Sequence, residues 1–145
     1  MMAQSTAEDT KIKVFLIDTK KREAGVKEIN CDFESYEEAI HANYYTVVGI
    51  KIEDQEFTCI VDEEGLLKKN LVPSIISTDN APTNPQTHVE IVGSCFICNT
   101  KETDDGAIET SLTSSQIKLI EKHIVRAFTV KSQQVQPLLV ATVEK

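Results

Sequence analysis

Lys11–Asp18 (KIKVFLID) alternates apolar with polar and then turns apolar, which predicts a first strand. Lys20–Ala24 is charged and runs into Gly25, a turn signal, so Val26–Ile29 is expected to pair back as a second strand. Ser35-Tyr36-Glu37-Glu38 has the form of a capping box. It is expected to open a short helix with Tyr36, Ala39 and Ile40 on one side. Tyr45–Glu53 is β-branched and aromatic and reads as a strand. Asp54-Gln55 then predicts a tight turn into Glu56–Val61, where Phe57, Cys59 and Val61 share a face. Asp62-Glu63-Glu64-Gly65 reads as the next turn, with a glycine suited to positive φ.

Pro73 breaks this alternation, and Ser77–Thr87 (STDNAPTNPQT) has no large apolar residue and reads as a surface loop. His88–Asn99 is apolar on both faces, the pattern of a strand in the middle of a sheet. Asp104-Asp105-Gly106 marks another turn. Thr113-Ser114-Ser115-Gln116 is a second capping box, and Ile117, Ile120, Ile124, Ala127 and Phe128 follow at helical spacing. A helix over Thr113–Phe128 is therefore expected, with Val135–Val143 adding a last strand or arm. The fold class implied is α+β: mainly antiparallel sheet with two helices, the longer C-terminal helix packed on one face. Residues 1–10 read as a disordered tail and 11–145 as a single domain, with 128–145 as a candidate oligomerisation arm.

Composition narrows the function classes. The chain has 145 residues and a hydrophobic fraction of 41%, enough for a core. No apolar run approaches the ~18 residues needed to span a bilayer. Met1–Thr10 is polar and acidic, without the basic and apolar regions of a signal peptide, so a cytoplasmic protein with reduced thiols is expected. Cys95-Phe96-Ile97-Cys98 is formally a CxxC, but residues three apart on a strand point to opposite faces. Together with Cys31 and Cys59 it lacks the paired spacing of a zinc site, and buried small hydrophobes are the expectation.

The net charge of −8 disfavours the nucleic-acid backbone as a partner. Residues 113–145 depart from it, with five Lys/Arg against two Asp/Glu. No phosphate-cradling glycine loop, metal-ligand histidine motif, calcium loop or nucleophile elbow occurs. No catalytic residue, metal or cofactor is assigned on this reading. Residues 62–65 with Leu67, Asn70, Pro73 and the strand Ile91-Val92-Gly93 carry a resemblance over about Lys11–Val125. The chain resembles a small domain family of unknown function carried by bacteriophages, plasmids and other mobile elements of low-GC Gram-positive bacteria. The loop around Asn80–Pro85 and the extension Phe128–Lys145 depart from that family's pattern.

The resemblance implies a mobile-element context and no activity. The leading expectation is a non-enzymatic, homo-oligomeric binding protein serving counter-defence. It would sequester a small anionic host nucleotide or mask a host defence protein, with Arg126, Lys122, Lys69, Tyr45 and Phe57 as candidate contacts. One alternative is an acidic DNA mimic that inhibits a DNA-binding protein. Another is a hydrolase or lyase for a small phosphorylated compound, built from His88, Glu90, Asp62 and Arg126.

Overall fold

The computed structural model describes residues 11–65, 72–78, 87–131 and 134–143. The expected tail, Lys69 and residues 79–86 of the expected loop lie outside them. The elements are β1 (Lys11–Asp18), β2 (Glu23–Asn30), α1 (Phe33–Ile40), β3 (Tyr45–Ile52), β4 (Gln55–Asp62), β5 (Pro73–Thr78) and β6 (Thr87–Val92). There follow β7 (Cys95–Thr103), β8 (Gly106–Thr110), α2 (Ser114–Lys122), β9 (Ile124–Lys131) and β10 (Gln134–Val143).

Two sheets form among the described residues. The larger runs β2-β1-β7-β4-β3, with β8 paired to the far half of β7, and is antiparallel throughout. The smaller runs β6-β5-β10-β9, with β5 and β10 parallel. Strand parity sorts the core into two layers. Phe15, Ile17, Phe57, Cys59, Cys95 and Ile97 face the second sheet and α2, meeting Ile75, Ile91, Ala141 and Ile120. Val14, Leu16, Ile60, Phe96 and Cys98 face the other way and are covered by Tyr36 and Ile40 of α1. The fold is α+β, mostly antiparallel, with the C-terminal helix packed on the sheet as expected.

The differences from the sequence reading are local. Thr113 and Gln116 form the expected capping box, but α2 ends at Lys122 and Ile124 begins a strand. Ile124-Val125 and Thr129-Val130 are β-branched and pair with β10, so the hairpin ladder overrides the helical spacing. Ile120 is the helix's buried anchor, with Ile117 and Leu119 partly buried beside it. Asp32, not Ser35, caps α1, accepting the Ser35 amide at 2.7 Å. The expected strand His88–Asn99 is two strands in different sheets. The break is Gly93-Ser94, where Gly93 takes φ +89° and Ser94 Oγ accepts the Thr19 amide at 2.9 Å. Gly25 lies inside β2, because the preceding turn is closed by Arg22 at positive φ and by Asp18. The β3–β4 turn is Glu53-Asp54, one residue earlier than expected, with both φ positive. Residues 124–131 and 134–143, which include most of the expected arm, form the β9–β10 hairpin of the second sheet.

Gly65 is required for space rather than for positive φ. A Cβ built there would sit 2.8 Å from the backbone oxygen of Val92. Gly65→Ala should therefore cost about 1–3 kcal/mol in urea unfolding. Gly25→Ala, with nothing within 4 Å of the added methyl, should stay within about 1 kcal/mol of wild type.

Candidate functional site: an aromatic ladder that reaches the surface

The side chains that connect the core to the surface sit where α1 meets the start of β3. Asp32 fixes the first turn of α1, and the i, i+4 pair Tyr36 and Ile40 then points into the sheet. Tyr36 is only 2% exposed and stands edge-on to buried Phe96, ring centroids 5.2 Å apart. On its other side it meets half-buried Tyr45 at 5.4 Å, and Tyr45 leans on Phe33 at 6.1 Å. Such tilted and edge-on pairs at these separations are favourable beyond the area they bury. The ladder ends in water: Phe33 is 73% exposed. Tyr44, next in the chain, is 60% exposed, and Val47, on the same strand face as Tyr45, is 50% exposed.

Polar contacts lock the buried rung. The Tyr36 hydroxyl donates to Glu109 Oε1 at 2.9 Å and lies 3.0 Å from Cys31 Sγ. Burial, the Cys31 and Glu109 contacts and their charge push the Tyr36 phenol far above its ordinary range. Burial and the charges of Glu109 and Glu37 raise that of Tyr45. Burial, then Glu109 and Cys31, pushes the Cys98 thiol up to about 12. Both phenols are thus neutral, and the field around the ladder is negative.

Among the described residues, cavities also lie elsewhere. One of about 610 Å³ runs between β2 and α1, lined by Lys11, Lys21 and Lys27 but equally by Glu23, Glu28 and Glu38. At its end His41, in the left-handed region, lies 3.1 Å from an Asp18 oxygen, and Asp18 accepts the Lys20 and Lys21 amides. Burial alone would raise the Asp18 pKa, but these amides and His41 outweigh it and hold it below the ordinary 3.8. Another cavity, about 380 Å³, separates the sheets and includes Phe57, Glu90 and Lys51. Ser77 donates to Glu90 there at 2.6 Å.

The structure scatters the contacts expected from the sequence. Tyr45 and Phe57 lie on opposite faces of the larger sheet. Lys122 sits 3.5 Å from Glu53, which also holds His123 at 2.8 Å. Arg126 is exposed on β9. His88 and Glu90 lie on β6, at the opposite edge of that sheet from Arg126. Asp62 closes its own turn by accepting the Glu64 amide. Cys95 and Cys98 face opposite core layers, as the strand period requires, and all four cysteines are free thiols. Among the described residues no group of three or more His, Cys, Asp or Glu side chains is placed to hold a metal. No helix among them is long and apolar enough to cross a membrane. Tyr45 is the one expected contact that belongs to the ladder. The spacing Asp32-Phe33-x-x-Tyr36 was available as a signal for the rest, whereas Glu109, 73 residues from Tyr36, had none.

The profile of a domain of unknown function, DUF3846, matches residues 12–125. The chain belongs to this family. No curated protein and no solved structure matches it. The span matched to DUF3846 includes every rung of the ladder and its lock at Glu109, whereas β10 lies beyond it.

Tyr36→Phe should lower stability by about 1.5–3 kcal/mol in urea titration, because it strips a half-buried carboxylate of its phenol donor. Asp18 gives a pH signature. Its folded pKa is depressed, so its stabilisation is complete above the ordinary value of 3.8 and lost as pH falls through the lower folded value. The urea midpoints of wild type and Asp18→Asn should differ at about pH 6 and converge below 3.8.

Proposed function

We propose that this DUF3846 domain is a non-enzymatic binding protein of a bacteriophage or other mobile element, and that it acts by masking a host protein. The observation that carries the reading is the surfacing of the aromatic ladder as Phe33, Tyr44, Tyr45 and Val47. Folding leaves three large apolar side chains at least half exposed around Tyr45: Phe33 leans on its ring, Tyr44 precedes it in the chain, and Val47 shares its strand face. Exposed apolar side chains grouped about one residue mark protein interfaces, and aromatic residues are the usual anchors. Covering each side chain would contribute on the order of 1–2 kcal/mol.

Charge favours a protein over a nucleotide. Glu37 and Glu109 act directly on the Tyr45 phenol and would repel a phosphate. The polar groups best placed for chemistry are occupied in holding the fold: Glu109 by Tyr36, Asp18 by two backbone amides, Glu53 by His123. The mobile-element context is supported by the motif at residues 62–65 and the strand that follows it.

The test uses the double variant Phe33→Ser/Tyr44→Ser. It should melt within a few degrees of wild type, since both side chains are exposed, yet lose counter-defence activity at least tenfold in an infected host. Purified protein mixed with cyclic dinucleotides and then heated should release none and alter none. Full protection by the variant, or nucleotide retained or converted, would overturn the reading.

A further inference from the structure

The same surface has a second property, carried by backbone rather than by side chains. β3 is an edge strand of the larger sheet, and among the described residues only β4 pairs with it. Its turn, Glu53-Asp54, has two residues at positive φ, the geometry that makes Ile52 and Gln55 the hydrogen-bonded closing pair. Alternation along the ladder then turns the N–H and C=O groups of Tyr45, Val47, Gly49 and Lys51 to the open side. Gly49 adds room, since a Cβ there would find only one backbone oxygen, at 4.0 Å.

Soluble proteins blunt such edges with charge, proline or short length. β2 carries Glu23, Lys27 and Glu28, and β8 is five residues long. β3 has eight residues (YTVVGIKI), one charge and no proline. It is the least protected of these edges, and it begins at the exposed aromatics.

We infer that β3 accepts an extended segment of a protein partner as an added antiparallel strand, and that this segment is apolar with a basic C-terminal end. This rests on the masking reading and names the partner's chemistry. The charges of Glu109 and Glu37 act on Tyr45, and exposed Glu63 donates its amide to the Tyr44 carbonyl, whereas Asp62, opposite Tyr45, is buried and held by its own turn. An antiparallel strand ends its C-terminus there, so lysines and arginines at that end meet the carboxylates. A second copy of the chain fits less well. Antiparallel self-pairing would bring those acids toward Glu53, Asp54 and Glu56 at the other end of the strand.

The probe is the synthetic peptide TVTVTVKRK, with TVTVTVEDE and a form N-methylated at alternate residues as controls. Titration by fluorescence anisotropy should show saturable binding of the basic peptide, weakening as salt rises. The acidic and N-methylated peptides should bind at least about tenfold more weakly. Val47→Pro removes an N–H that makes no bond to β4, so it should fold and weaken the basic peptide by a similar factor. If that variant misfolds, the N-methylated peptide alone decides. Equal binding of acidic and basic peptides, or of methylated and unmethylated ones, would overturn the inference. So would sedimentation showing a wild-type dimer that Val47→Pro dissociates, since a second copy would then occupy the edge. If Phe33→Ser/Tyr44→Ser abolishes activity in the host while Val47→Pro preserves it, masking stands and strand addition falls.

Discussion

The rest of the structure depends on β7 being buried on both faces. Cys95 and Ile97 look one way and Phe96 and Cys98 the other, all fully buried, and β1 and β4 flank them. A strand with no polar face must be covered twice. The two coverings are unlike among the described residues: α1 on one side, a second sheet and α2 on the other. This asymmetry sets the shape of the molecule. A four-stranded sheet can extend its cover to the margin through Val48 and Ile50 of β3. A helix of eight residues cannot, and on its side Val47 remains half exposed.

The exposed aromatics follow from that shortfall. Tyr36 fills the space over Phe96, and Tyr45 packs on the flank of Tyr36 where the helix cover ends. Phe33, in the first turn of α1, leans on Tyr45 and is otherwise largely exposed. The ladder is therefore continuous with the core at one end and with solvent at the other. Rigid aromatic anchors on regular elements bind with little loss of side-chain freedom, which suits recognition better than a mobile loop would.

Much of the fold was legible because its determinants are local. Parity placed Phe57, Cys59 and Val61 on one face and separated Cys95 from Cys98, and the Thr113–Gln116 box marked the start of α2. What failed was decided by distant partners. Ile124 continues the helical stripe in sequence, yet pairing with Ala141 and the grip of Glu53 and Thr142 on His123 turn the chain into a strand. The break at Gly93 shows the same thing, since Val72 and Thr19 hold the two sides of it. For the site, Tyr45 was visible as an aromatic near a turn. Its neighbours were not, because Phe33 falls before the helix expected to open at Ser35 and Glu109 follows a turn in a stretch assigned no element.

Charge and edge geometry bear on one another in a way that composition alone does not reveal. A balance of −8 spread evenly would protect every edge by repulsion. Here charge is kept off β3 except at Lys51 and concentrated beyond its two ends, in 53–56 and 62–64. On the proposed reading this arrangement discourages association of like-charged copies while the backbone edge, unpaired among the described residues, accepts a partner of opposite sign. On that reading such a surface selects by strand chemistry as well as by potential, whereas imitation of a polyanion would make no use of a strand that carries a single charge between two acidic ends.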